Sequence, residues 1–203
     1  MANLLVKNLK SALPIAIVAL LLAAPVAVSA VTTTQNTTVN AQVAAVISMT
    51  TSTTVNLAIT PTSAGAMTSA SDTVSVTTNN STGYALSLAD ADATTSLVNG
   101  ANTIAAHTGT QATPTALATN SWGYRVDGVG GFGAGPTSAE SNVANTAFTW
   151  AGVPASGSPN TLKTTSTTAS SDPTTVWYGA KVSTAKPAGT YTDVVTYTAV
   201  TNP

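Results

Sequence analysis

Apolar and polar residues alternate with a period of two along most of this chain, the spacing of strands half-buried in a sheet. In "TVNAQVAAVISM", Val39, Ala41, Val43, Ala45, Ile47 and Met49 fall on one face. In "TVNLAIT", Val55, Leu57 and Ile59 do the same until Pro61 ends the run. "DTVSVTT" turns Val74 and Val76 inward, and "YALSLAD" turns Tyr84, Leu86 and Leu88 one way. The intervening "NNSTG" is a turn signal, so residues 72–90 read as a hairpin with a loop of about five residues.

Later runs are shorter and more aromatic. "SWGYRVDG" places Trp122, Tyr124 and Val126 together, and "TAFTWAGV" holds Phe148 and Trp150. "TTVWYGAKVS" aligns Val176, Tyr178, Ala180 and Val182. In the last strand Tyr191, Val195, Tyr197 and Ala199 share a face, with Asp193 on the same parity and Gly189 supplying the turn before it. A buried, unpaired carboxylate is costly, so Asp193 is expected near the rim, hydrogen-bonded to backbone or hydroxyl groups. No convincing 3.6 period follows residue 30, and one helical turn at most is expected within 91–106. About eight strands separated by turn-rich segments predict an all-β sandwich or barrel. Long polar loops are expected at 100–119, 128–146 and 152–174.

The first 30 residues follow a different rule. Lys7 and Lys10 precede a 16-residue apolar run, Leu13 to Val28, which ends in Val28-Ser29-Ala30. A positive start, an apolar middle and a small-x-Ala end form a secretory signal. The run is shorter than the ~20 residues that span a bilayer, and it contains Pro14 and Pro25. The expected organisation is a signal peptide over 1–30, a flexible leader over 31–38 ("VTTTQNTT") and one β-sandwich domain over 39–203. Removing residues 1–30 from 203 leaves 173, enough for a real core. No membrane association is expected after cleavage. The protein is expected outside the cell, associated with its surface, with attachment noncovalent or absent.

Composition narrows the partners. Past residue 30, four basic residues (Arg125, Lys163, Lys181, Lys186) meet seven acidic ones, a net of −3. No basic patch exists to neutralise phosphates, so nucleic acid is not an expected partner. The chain has no Cys, so core and strand ladders must stabilise it without disulfides. Thr is about a fifth of the residues; it is β-branched and polar, suited to strands that face water.

Candidate chemistry is sparse. The single His107 lies in "AAHTGTQ" and reads as a solvated loop residue rather than a base held by an orienting partner. The single Glu140 also falls in a loop, without a paired acid in the sequence pattern. Asp90 and Asp92 are spaced as in some calcium loops, but the twelve-residue frame with a closing Glu is missing, so they read as turn-capping residues. Zinc lacks its Cys and His ligands. "GVGGFGAGP" lacks the GK[ST] of a phosphate loop and reads as permissive backbone. Asn36, Asn79 and Asn80 match glycosylation sequons, which matter only in a glycosylating host. Trp122, Trp150 and Trp177 sit at alternating strand positions, where core is favoured over sugar stacking. No catalytic, cofactor-binding or metal-binding residue is assigned, and no cofactor is expected.

The closing stretch "AGTYTDVVTYTAV" resembles the last strand of the spore coat protein U family and related secreted pilin-like subunits. Gly189, Thr190, Tyr191, Thr192, Asp193, Val195 and Tyr197 carry the likeness. "DTVSVTTNNSTGYALSL" resembles that family's early strand pair, "VNAQVAAVISM" its first strand, and "WGYRVDG" loosely its middle. Where the family commonly has Cys, Ser48 and Asn79 stand here. Cys-free, Thr-rich sequences of this kind also look like relatives of the WxL cell-wall proteins. The W-x-L motif itself is absent: Trp122, Trp150 and Trp177 are followed by Gly-Tyr, Ala-Gly and Tyr-Gly. The resemblance implies an Ig-like antiparallel β-sandwich and a surface role.

The functional expectation is a secreted, non-enzymatic structural protein of the cell surface, acting by assembly or attachment. Its partners would be copies of itself or other surface proteins, met through edge strands. The Val39–Met49 run and the terminal strand are the candidates for pairing. The alternative is an adhesin that binds glycans or wall polymer through loops 100–119 and 128–146. An extracellular hydrolase is a remote alternative.

Overall fold

The computed structural model describes residues 29–203. The chain divides into two units, 1–41 and 42–203, and the second contains all the strands among the described residues. The expected signal peptide falls, except for Ser29 and Ala30, outside the described residues.

The described residues are all-β. The strands are β1 (Ile47–Thr50), β2 (Ala66–Thr78), β3 (Tyr84–Asp90), β4 (Leu97–Asn99), β5 (Asn102–Ala106), β6 (Thr115–Ala116), β7 (Ser121–Arg125), β8 (Thr149–Trp150), β9 (Asn160–Thr164), β10 (Ala169–Val182) and β11 (Val195–Thr201). A six-stranded sheet, ordered β1-β2-β10-β7-β5-β4, curls into a half-barrel. A three-stranded sheet is ordered β11-β3-β9, and β6 and β8 form a short ribbon. Pairing is antiparallel except between β5 and β7, which run parallel.

The main core draws on both larger sheets. Val74 and Val76 of β2, Tyr84, Leu86 and Leu88 of β3, and Val176 of β10 are each fully buried in it. The alternation therefore gave the inward parity correctly. A second cluster, Met67, Leu117 and Trp150, forms on the other face of the large sheet. Met67 has the odd parity of β2, opposite to Val74 and Val76, so the pleat must point it away from the main core. Both faces are covered there, which is why residues 66–69 and all of β7 are buried without alternation.

Five expectations are corrected. Residues 72–90 are not a hairpin: β2 pairs with β1 and β10, while β3 pairs with β11 and β9. The chain crosses from one sheet to the other at Asn79–Gly83. Both strands point their apolar face at the same core, and period-two alternation is identical for a hairpin and a crossing. The turn needs glycine, because Gly83 has φ +83° and a Cβ there would lie 2.4 Å from the Thr165 carbonyl.

The Val39–Met49 run forms a ladder only from Ile47 onward; Val39 and Val43 stay more than four-fifths exposed. The segment 91–106 holds β4 and β5 rather than a helical turn, and the loops expected at 100–119 and 152–174 contain β5, β6, β9 and the start of β10. Among the described residues eleven strands replace the eight or so expected, because two- and three-residue strands carry no periodic signal.

Candidate strand-accepting groove

Residues 53–60 keep strand alternation without a ladder. Val55, Leu57 and Ile59 are half-buried and pack on the main core, while Thr54, Asn56, Ala58 and Thr60 face out. Yet none of the backbone groups of 53–60 bonds to another backbone group among the described residues. Only the ends are held. The Asp72 carboxylate accepts from Thr51 Oγ1 and, at 3.0 Å, from the Ser52 amide. The Thr60 amide donates to Asn142 Oδ1 at 2.7 Å, and Ala58 O accepts from Thr68 Oγ1 at 3.1 Å.

Beside this segment lies a cavity of about 1010 Å³. Segment 52–59 forms one wall and residues 187–195 another. Trp122 and Tyr178 contribute to the lining from the large sheet, their rings stacked with centroids 6.5 Å apart. The second wall belongs to a strand path paired on one side only. Thr192 bonds reciprocally with Val98, and β11 pairs with β3 and with no other strand. Gly189 lies within that wall, and a Cβ on it would lie 2.2 Å from Asn99 Nδ2. The groove thus offers an apolar trough and backbone groups without partners, the two things an added strand requires.

Its charged groups are few. Asp72 is buried; burial pushes its carboxyl up, but the bonds from Thr51 and Ser52 outweigh this and hold it below the usual aspartate value. Asp193 is half-buried, with its carboxyl pushed up to about 6 by burial and by the neighbouring Asp90 and Asp92 carboxylates. Its Oδ1 accepts from the Val194 amide at 2.8 Å, as expected of a backbone partner, but its Oδ2 is buried with none.

The other candidates are drawn into structure. His107 is buried, not solvated: Nε2 meets Thr115 Oγ1 at 2.8 Å and Nδ1 faces the Ala118 amide at 3.5 Å. It borders a separate cavity of about 600 Å³. Glu140 accepts from Thr146 Oγ1 and the Ala147 amide, both at 2.8 Å, and so pins its own loop. Trp122 and Trp150 are buried, with indole nitrogens donating to Thr95 O and Thr146 Oγ1; Trp177 is half-buried against Met67's cluster. The sequon residues Asn79 and Asn80 spend their amide groups on Ala44 O, and on Thr82, Gly83 and Asn202, while Asn36 is exposed.

Loop 128–146 is also anchored. Buried Arg125 donates to Phe132 O and Thr137 Oγ1 and pairs with Asp127 at 3.0 Å, with its guanidinium 5.1 Å from the Phe148 ring centre. The sequence signals this cluster only through opposite charges two residues apart, Arg125 and Asp127.

No family model matches the chain, and no curated protein and no solved structure matches it either.

Proposed function

We propose that this chain is a secreted, non-enzymatic subunit of a cell-surface structure, assembled by strand addition. The segment Val39–Val46 of one copy enters the groove between residues 52–59 and 187–195 of the next. The observation that supports this reading is the pairing of two incomplete features. One is a trough flanked by residues 53–60, which bond to no other backbone group among the described residues, and by a strand path paired on one side only. The other is an exposed segment with apolar residues at 39, 41, 43 and 45 and no ladder. Eight residues in strand conformation reach about 26 Å at ~3.3 Å each, the reach of the eight-residue wall 52–59. Backbone bonds would supply affinity, and the alternate side chains would supply register.

The two larger sheets, packed on a common core, are read here as an Ig-like sandwich opened on one side. That reading agrees with the resemblance of the last strand to the spore coat protein U family. Sedimentation velocity tests the assembly. Protein beginning at Val31 should form concentration-dependent multimers, and protein lacking 31–46 should stay monomeric. A strict monomer at high concentration with the segment present would sink the reading.

A further inference from the structure

Three carboxylates gather where β3 ends and the terminal strand path passes it, and no base answers them. Asp90 is 1 % exposed. Its Oδ1 accepts from the Asp92 amide at 2.9 Å, while its Oδ2 is buried without a partner. Asp193 neighbours it from the groove wall, where Val195 pairs with Asp90 and the Ala91 amide donates to Val194 O at 2.9 Å, and the Asp193 Oδ2 is likewise buried and unpartnered. Asp92 adds a third negative charge near Asp193. The two ion pairs among the described residues, Arg125–Asp127 and Lys163–Asp172, lie elsewhere. Two buried carboxylate oxygens without donors, on neighbouring side chains, need a positive charge or a proton there.

We propose that Asp90 and Asp193 bind a calcium-class divalent cation between their free oxygens. The donors are all oxygen, which selects a hard ion. No group of three or more ligating side chains forms among the described residues. Two carboxylates must therefore be completed by backbone carbonyls and water, an irregular set that calcium accepts and magnesium, with its strict octahedron, does not. Such a sparse site places Kd on the order of 10⁻⁴–10⁻³ M, in the range of extracellular calcium modules. The ion would tie the groove wall at Asp193 to the end of β3, next to the Ala91 amide bond to Val194 O.

The test is thermal melting of the full-length protein, stripped with chelator and titrated with calcium or magnesium chloride to about 10 mM, above the weak end of that range. Calcium at about ten times Kd should raise Tm by about 3–6 °C, and magnesium should raise it much less. Asp193→Asn should abolish the calcium response; because it also relieves repulsion, its Tm in chelator should equal or exceed that of the parent. Isothermal titration with calcium should give one site for the parent and none for the variant. A parent Tm indifferent to calcium, or a response retained by Asp193→Asn, overturns the proposal. Stabilisation on acidification alone, without any calcium response, would assign the pair a shared proton instead and overturn it equally. None of these readouts requires multimers, so the cation site stands or falls apart from the assembly.

Discussion

The hydroxyls of Tyr178 and Tyr197 meet at 2.7 Å, joining β10 of the large sheet to β11 of the small one. Both residues line the groove. Burial pushes both phenols well above their ordinary value, so both stay protonated, and the Asp72 carboxylate lies near enough to raise them further. Tyr197→Phe leaves the buried Tyr178 hydroxyl without its partner. The expected loss is about 1–3 kcal/mol of stability, measured by denaturant unfolding. Tyr191→Phe removes only an exposed bond to Pro187 O and should change stability by less than about 0.5 kcal/mol. Equal effects would show that the link between the sheets adds nothing.

Asp127 neutralises a guanidinium that is itself buried. Removing one partner of a buried pair strands the other charge, at about 3–5 kcal/mol. Asp127→Ala is expected to lose that much, and the double variant Arg125→Ala/Asp127→Ala less than the sum of the single losses. The pH dependence has a fixed sign. Burial pushes the Asp127 carboxyl up, but the bonds from Thr137 and the charge of Arg125 outweigh it, leaving the folded value below 3.8. The stabilisation is complete above the unfolded aspartate value of about 3.9 and is lost as pH falls through the lower folded value. Acid unfolding curves of Asp127→Ala should therefore be shallower than those of the parent in that window.

Parity was legible in the sequence and neighbourhood was not. Val74, Val76, Tyr84, Leu86 and Leu88 point inward as their alternation requires, because burial of one face fixes a period of two. The same alternation holds whether β2 turns back on itself or crosses to the other sheet, so partners could not be read from it. Val55, Leu57 and Ile59 show the limit most clearly. They look like any strand, and what marks them is the ladder they lack, which no residue encodes. The burial of His107 and the anchoring of loop 128–146 depend on contacts such as His107–Thr115 and Arg125–Phe132 O, set by the tertiary fold.

His107 should make the fold sensitive to mild acid. Burial lowers its pKa, and the bond at Thr115 only partly offsets this. The neutral ring, with its proton on Nε2, can donate to Thr115 Oγ1 and present Nδ1 to the Ala118 amide. Protonation would set a second N–H against that amide. With the folded value below the unfolded value of about 6.5, the unfolded state binds more protons between the two. Stability is then complete above about pH 6.5 and falls as pH drops toward the folded value. Unfolding free energies measured across this range should decline in the parent and decline less in His107→Gln. Identical slopes would show that the ring stays neutral in both states or finds an acceptor when charged.

Hydrogen exchange offers the sharpest reading of the groove. The amides of β2 and β10 sit in the longest ladder of the molecule, with partners from Ala66↔Val182 to Val76↔Asp172. They should exchange slowest, through global opening. The amides of Thr53–Ile59 have no acceptor among the described residues, although Val55, Leu57 and Ile59 are packed. In the monomer they should exchange within the fastest class, while Ser52 and Thr60, held by Asp72 and Asn142, are slowed. A peptide copying residues 38–47, added in excess, should slow alternate amides of 53–59, because successive N–H groups of a strand point to opposite edges and one edge alone gains a partner. The same peptide with Val43→Asp should lose most of that protection, since the apolar trough, whose Lys186 already donates to Thr103 O, would receive a carboxylate. Slow exchange across 53–59 in the monomer would mean that the segment already has partners, and the groove would then have no edge to offer.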